Sequence, residues 1–337
     1  MGEFDLLEQL GPFLSGADAD VLVGHGDDAA VVTVGGESVC LAVDVLVEEV
    51  HFRRDLSSMA DVGWKAVAVN CSDVAAMGGR PWVGVIGLSR PAEVPTEDVL
   101  ALYEGMRAAC EEWGLRLVGG DTVDAGALAL SVTVLGHLDG DGVTRSGAQV
   151  GDRLVLVGTL GAAAAALAQV DAGRTPDEGL LRAHRRPRAL VAAGQVLAAH
   201  AANALIDVSD GLGADLGHLC AASGVAARLD GAFLPIAPGV ADAVAAAGGD
   251  LLRIVCGGGE DFALLGAVPA ERAEAAARAA AAAEGVPAAV IGEVLVAGAG
   301  PTVLLEGWGP PGSPPIDLTG LGYDHYHDSD QRSDEST

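Results

Sequence analysis

Apolar and polar positions change period repeatedly along the first 140 residues. Short, mainly apolar runs over Ala29–Thr33 and Val39–Val45 predict strands, and the second is predicted to break after Asp44. Apolar residues at roughly helical spacing in Lys65–Gly79 predict a helix that is buried on one side, and Glu97–Trp113 predicts another helix. Strands and helices therefore alternate, and the pattern predicts a layered α/β (α+β) fold.

The double turn Asp139-Gly-Asp-Gly142 is the best boundary signal in the chain. A fresh strand is predicted just beyond it, over Arg153–Gly158, and a second α/β unit follows. We therefore predict an N-terminal domain over residues 1–140 and a C-terminal α/β domain over 141–327. Residues 328–337 are polar enough to predict a disordered tail.

Composition narrows the classes of function. The chain has 337 residues, of which 50% are hydrophobic, so a large core is possible. Its 19 Lys and Arg against 47 Asp and Glu give a net charge of −28, which argues against a nucleic-acid surface and an acidic membrane surface. No apolar run is long enough for a membrane span, and the N-terminus lacks the basic start of a signal peptide. We expect a cytoplasmic protein.

The five cysteines stand singly in apolar surroundings without a C-x-x-C pair, so we expect them to pack in the core. Their positions are Cys40, Cys71, Cys110, Cys220 and Cys256.

Five acidic motifs each place a carboxylate at a predicted turn or element end. They are Gly26-Asp-Asp28, Asp44, Asn70-Cys-Ser-Asp73, Gly119-Gly-Asp121 and Asp207-Val-Ser-Asp-Gly211. Taken singly, each aspartate is more typical of a turn or a helix cap than of a ligand. Together they are hard oxygen ligands that suit Mg²⁺, and an acidic protein that handles an anionic substrate needs such cations. The sequence thus favours a metal site, with Asp73 at its centre.

Known nucleotide-binding motifs are missing. Lys65 is the only lysine and does not follow a G-x-x-x-x-G pattern, which excludes a Walker-type P-loop. We interpret it as a helix-surface or structural charge. If the protein uses ATP, arginine, metal ions and Gly-rich backbone must hold the phosphates. Arg145 is the strongest arginine candidate, although a surface charge beside a turn is an equally good interpretation.

The order of motifs carries a resemblance to a known family. Between residues 24 and 326 the chain reads G-D-D-A-A, V-D-x-L-V-E-x-V-H-F, K-A-V-A-V-N-x-S-D-V-A-A-M-G-G, G-G-D-T, R-S-G-A, H-x-R-P, I-D-V-S-D-G-L and G-G-G-E-D. This order resembles the thiamine-monophosphate kinases of the aminoimidazole-ribotide-synthetase-like ATP-dependent superfamily. The ending Gly322-Tyr-Asp-His325 resembles that family's C-terminal motif.

The resemblance implies a two-domain aminoimidazole-ribotide-synthetase-like fold. Its N-terminal domain would bind ATP and Mg²⁺ and pair strands in a homodimer, and ATP would lie between the domains. The implied reaction, a step of thiamine biosynthesis, is direct in-line transfer of a phosphoryl group from ATP to thiamine monophosphate, assisted by several Mg²⁺ ions.

Residue roles follow from matching motif positions. The implied metal ligands are Asp27, Asp28, Asp44, Asp73, Asp121, Asp207 and Asp210, of which the catalytic ones are Asp73, Asp121 and Asp210. The implied ATP contacts are Tyr103, Gly120, Asp121, Arg145 and Ser209. The implied contacts to thiamine monophosphate are His51, Glu260 and Tyr323.

One departure and three rivals remain. Ala42-Val43 stand where family members often carry hydroxyl residues before Asp44, so we expect an altered or weaker metal site there. A selenophosphate synthetase would need a reactive cysteine and lysine before Gly24, and a hydrogenase-maturation carbamoyl dehydratase would need a C-terminal cysteine beyond Cys256. Both are disfavoured. A catalytically silent sensor of nucleotide or thiamine phosphate would keep the pocket, and the complete acidic set argues against it.

Overall fold

Two β-sheets follow one another along the chain in the computed structural model, which describes residues 3–14, 17–300 and 302–323. The predicted tail and the residues Asp324 and His325 lie outside this range. The first sheet contains β1 (Val21–Val23), β2 (Ala30–Val34), β3 (Glu37–Val47), β4 (Arg80–Arg90), β5 (Arg116–Asp124) and β6 (Ala129–His137). The second contains β7 (Arg153–Val157), β8 (Ala204–Val208), β9 (Val225–Asp230), β10 (Ala263–Val268), β11 (Ala288–Val296), β12 (Val303–Glu306) and β13 (Ile316–Asp317).

Ten α-helices accompany the sheets in the described ranges. They are α1 (Glu3–Leu10), α2 (Met59–Ala76), α3 (Thr96–Trp113), α4 (Ala162–Asp171), α5 (Glu178–Arg185), α6 (Val191–Ala199), α7 (Leu212–Ser223), α8 (Val240–Ala247), α9 (Leu251–Gly257) and α10 (Ala270–Glu284). None of them is long and apolar enough to cross a membrane.

Both sheets are mainly antiparallel. The first has the order β1-β2-β3-β6-β4-β5 and the second the order β13-β12-β9-β11-β7-β10-β8. In the described chain, only the β4–β5 and β9–β12 pairs are parallel. Parallel strand ends therefore do not gather the acidic residues along one sheet edge.

Helix α2 is the central element between the two sheets. It starts at a capping box in which Ser58 and Asp61 exchange hydrogen bonds, so its first turn is fixed by the sequence. Two close approaches require glycine. A Cβ on Gly63 would lie 2.0 Å from the carbonyl oxygen of Leu102 in α3, and one on Gly194 would lie 2.1 Å from that of Ala75. Helix α2 therefore packs closely against both α3 and α6.

Two aspartates, Asp44 and Asp121, lie inside strands, although we predicted them at turns or element ends. Strand β3 does not break after Asp44 but continues to Val47, because its ladder with β6 runs on and pairs Asp44 with Val132. Strand β5 extends to Asp124 and includes Asp121, whereas Asp73 does lie at an element end, in the last turn of α2. The two strand placements were wrong because ladder pairing outweighs the turn preference of Gly and Asp.

One face of the first sheet carries exposed apolar side chains. Helices α2 and α3 pack on the other face, whereas Leu41, Val43, Val45, Val85 and Val123 are 38–58% exposed. Strand pairing places these five residues on one side, which we call the open face.

Candidate functional site

Three aspartates from separate elements meet between the two sheets. Asp28 lies in the loop before β2, Asp73 in α2 and Asp207 in β8, and each offers a carboxylate oxygen within 4.8 Å of the others. Asp44 of β3 lies beside Asp73, and its backbone N–H donates to Asn70 Oδ1 at 3.1 Å. Both halves of the chain therefore contribute to one acidic cluster.

Burial and mutual repulsion shift the ionisation of this cluster. Burial, with the charge of Asp210, raises the pKa of Asp44 to about 6. Burial, with the charge of Asp28, raises the pKa of Asp207 to about 8. The pKa of Asp73 is raised well above its ordinary value by burial and by Asp44. A cation placed among these groups would remove the repulsion.

Arg145 partly compensates the cluster. Its Nη2 donates to Asp28 Oδ1 at 2.6 Å, and its backbone N–H donates to the Asp27 carboxylate at 3.1–3.2 Å. The second oxygen, Asp28 Oδ2, is buried and has no hydrogen-bond partner among the described residues. A buried oxygen without a partner fits a metal ligand, since a cation would satisfy it.

The turn between β8 and α7 is held by a residue that our sequence analysis missed. Asp215 accepts hydrogen bonds from the backbone N–H groups of Asp210 (3.1 Å) and Gly211 (3.0 Å). Ser72 Oγ, from α2, donates to Asp207 Oδ2 at 2.5 Å. An aspartate in the first turn of α7, four residues after Gly211, was the available signal.

A second polar group adjoins the cluster and contains two of the three predicted thiamine contacts, His51 and Glu260. Glu260 is ion-paired with Lys65, and its Oε2 lies 2.5 Å from His184 Nδ1. Lys65 Nζ also donates to the carbonyl oxygen of His51 at 2.8 Å. Lys65 is 3% exposed, so the helix-surface interpretation was wrong and the structural one was right. All five cysteines are buried, as expected.

Three other predicted ligand contacts, Tyr323, Ser209 and Tyr103, lie outside this polar group. The backbone N–H of Tyr323 donates to the Asp210 carbonyl at 2.9 Å, and the Ser209 carbonyl accepts from the Glu260 N–H at 2.7 Å. Tyr103 lies on α3 with 38% of its surface exposed.

Asp121 is not brought to the cluster within one chain. It pairs with Gly87 on the side of the open face, three strands from β3, which corresponds to about 14 Å. Packing requires a glycine at position 120, because a Cβ there would lie 2.0 Å from the Ile86 carbonyl oxygen.

Comparison with known proteins identifies the family. The models for AIR synthase related protein match residues 26–138 (N-terminal domain) and 149–303 (C-terminal domain). A thiamine-monophosphate kinase of Mycobacterium tuberculosis H37Rv is 42% identical over 278 residues, which cover 80% of this chain and 83% of the relative. The chain belongs to the thiamine-monophosphate kinase family. A Salmonella typhimurium member of the family is 34% identical over 332 residues, covering 96% and 98% of the two chains.

Solved structures agree with this family. The structure described as AaThiL complexed with AMPPCP and TMP has a TM-score of 0.81 at 30% identity and covers 96% of this chain and 97% of that one. A thiamine-monophosphate kinase from Stenotrophomonas maltophilia K279a has a TM-score of 0.74 at 35% identity, over 90% and 95%. The predicted two-domain aminoimidazole-ribotide-synthetase-like fold is confirmed.

Proposed function

We propose that this protein transfers the γ-phosphoryl group of ATP to thiamine monophosphate, giving thiamine diphosphate and ADP. The observation that carries the proposal is the acidic cluster of Asp28, Asp73 and Asp207, built from both halves of a chain of the thiamine-monophosphate kinase family. The bound AMPPCP and TMP of the related AaThiL structure support the same pair of substrates.

The chemistry needs no protein nucleophile. A phosphate monoester has a second pKa of about 6, so its oxygen is largely ionised near neutral pH and can attack the γ-phosphorus directly. The protein must then position two anions and offset their charge. Arg145 can do so because its guanidinium can exchange the Asp28 carboxylate for a phosphate oxygen.

Magnesium fits the donor set of the cluster. We propose that carboxylates from both halves hold several Mg²⁺ ions, and that these ions neutralise charge on the nucleotide phosphates when bound. The proposed ligands are Asp27, Asp28, Asp44, Asp73, Asp207 and Asp210. Asp215 and Ser72 keep Asp207 and the backbone of Asp210 in place, so they act as positioning residues. The weaker site expected from Ala42-Val43 stays a prediction.

We further propose a homodimer that covers the open face. Val43 is 58% and Val45 50% exposed on this face, and burial of such apolar side chains would stabilise association. Asp121 lies on the same side, away from the acidic cluster of its own chain, so the metal role that the family resemblance implies for it would depend on the second copy. The cytoplasmic location stays a prediction.

The test is to incubate purified protein with Mg-ATP and thiamine monophosphate and to measure thiamine diphosphate and ADP by chromatography. We expect equal amounts of the two products, and none after chelation of the metal. Binding of both substrates without product would contradict the kinase and support the silent sensor. A matched reaction with thiamine instead of its monophosphate checks that the acceptor is the phosphate.

A further inference from the structure

The only lysine of the chain joins two of the proposed thiamine contacts. The Lys65 ammonium group lies on α2, ion-paired with Glu260 from the second half and donating to the His51 carbonyl oxygen at 2.8 Å. One ammonium group therefore links His51 and Glu260, which are 209 positions apart in sequence.

Both oxygens of Glu260 have a fixed partner. Oε1 accepts from Lys65, and Oε2 lies 2.5 Å from His184 Nδ1, which must donate because an ionised carboxylate only accepts. Lys65 is 3% and His184 4% exposed, so both partners are shielded from water, whereas the Glu260 side chain is 25% exposed and open to a ligand. Each carboxylate oxygen has a second lone-pair direction, so Glu260 can still accept a hydrogen bond from a ligand.

The backbone around Glu260 is held as firmly. Glu260 has φ +67° and Phe262 φ +48°, a region that side-chain-bearing residues rarely adopt. The Glu260 N–H donates to the Ser209 carbonyl at 2.7 Å, and the Phe262 N–H donates to the Val208 carbonyl at 2.8 Å. This segment is thus hydrogen-bonded to the stretch that carries Asp207 and Asp210. A displacement of Glu260 would therefore shift backbone close to the acidic cluster.

Hydrogen bonds fix the orientation of His51, the other proposed thiamine contact. Its Nδ1 accepts from the Val47 N–H at 3.1 Å, which leaves the hydrogen of the neutral ring on Nε2. Lys65 holds its carbonyl oxygen, so both the ring and the backbone of this residue are oriented.

We propose that Lys65 is a positioning residue which, together with His184, holds the Glu260 carboxylate and His51 in place for the thiamine part of the substrate. This inference rests on the proposed function. Thiamine carries a cationic thiazolium ring and an amino group, and an ionised carboxylate can attract the first and accept a hydrogen bond from the second. ATP offers no such cation, so the effect of Lys65 should be specific to the thiamine substrate.

The ionised state of Glu260 has a clear electrostatic cause. Burial opposes it, but the charges of Lys65 and His184 and their hydrogen bonds lower the pKa of Glu260 to about 2. The groups facing it are Lys65 from α2, His184 from α5, His51 before α2 and its neighbour Asp261. Without Lys65, burial would raise this pKa towards the assay range.

The experiment compares Lys65→Met with the wild type in steady-state kinetics. We expect the KM for thiamine monophosphate to rise at least about tenfold, because a buried charge loses its partner, while kcat and the KM for ATP change less than about threefold. Lys65→Arg, which keeps the charge, should recover part of the loss. Arg228→Met is the matched control, since it removes a cation paired with Glu293 on the second sheet and should change nothing.

A pH profile separates positioning from a structural defect. The ratio of variant to wild-type kcat/KM for thiamine monophosphate cancels the titration of the substrate phosphate, and it should fall as pH decreases below about 6. A ratio that is independent of pH, or equal losses towards both substrates, would overturn the inference.

Two further measurements cover a folding failure and a failure of the proposed function. If Lys65→Met does not fold by circular dichroism, His184→Leu removes the other partner and should show the same thiamine-specific loss. Unchanged affinity in that variant would overturn the inference. Absence of kinase activity in the wild type would refute the proposed function instead, because that result does not depend on Lys65.

Discussion

Replacing Asp207 by asparagine should stabilise the metal-free protein. Asp207 is 3% exposed, and burial beside Asp28 raises its pKa from 3.8 to about 8. A carboxyl whose pKa is raised on folding costs nothing below its unfolded pKa, and the cost grows as pH rises towards the folded value. At pH 7 the pH lies about 3 above the ordinary pKa of an aspartate and still below the folded pKa of Asp207. The raised pKa therefore destabilises the folded state by roughly 4 kcal/mol.

Asparagine keeps the shape and the oxygen that accepts from Ser72 but has no charge to bury. We expect Asp207→Asn to increase the free energy of unfolding at pH 7 by roughly 2–4 kcal/mol, and the melting temperature by several degrees. The gain should shrink as pH decreases towards 4, because the wild-type carboxyl then stays protonated in both states.

The assay is urea unfolding and thermal melting in the presence of a chelator and again with Mg²⁺. Wild type should be stabilised by Mg²⁺, and Asp207→Asn should lose most of this stabilisation because a ligand is missing. The exposed Asp242→Asn serves as control and should respond to Mg²⁺ as wild type does. A variant that is less stable than wild type without metal would refute the reasoning about the cluster.

Three further predictions test other parts of the account. Asp73→Asn and Asp210→Asn should each lower turnover by about two orders of magnitude or more while circular dichroism stays unchanged, and unchanged kinetics in either would remove its assigned role. Val43→Lys on the open face should convert a dimer into a monomer in sedimentation velocity, whereas a monomeric wild type at micromolar concentration would contradict the proposed dimer. The five cysteines are buried, and burial raises the pKa values of four of them to about 11 or 12. They should therefore react with a thiol reagent at pH 8 only after unfolding.

Much of the fold could be predicted from local patterns. The capping pair Ser58 and Asp61 and the apolar spacing of α2 predict the helix that carries Asp73, and the apolar runs of β2 and β3 predict strands. Strand ends were less predictable, because Asp44 and Asp121 are kept in their strands by neighbours that are distant in sequence.

The site could be predicted where motifs carry its ligands and not where packing does. Asp28, Asp73 and Asp207 stand in recognisable motifs, and the structure brings them together. The partner of Lys65 could not be predicted, because the fold sets the position of Glu260 across the two halves of the chain. The first-turn position of Asp215 indicates a capping role, but its bond to the Asp210 N–H depends on the folded turn before α7. Charge balance in a buried site is a property of the assembled structure.

The most direct test of the central claim follows the transferred phosphoryl group itself. Protein is incubated with ATP labelled at the γ-phosphorus, unlabelled thiamine monophosphate and Mg²⁺, and the label is traced among thiamine diphosphate, free phosphate and the protein. Direct in-line transfer predicts that the label appears in thiamine diphosphate in equal amount to ADP, with none on the protein. Label found only in free phosphate, or retained on the protein, would contradict it.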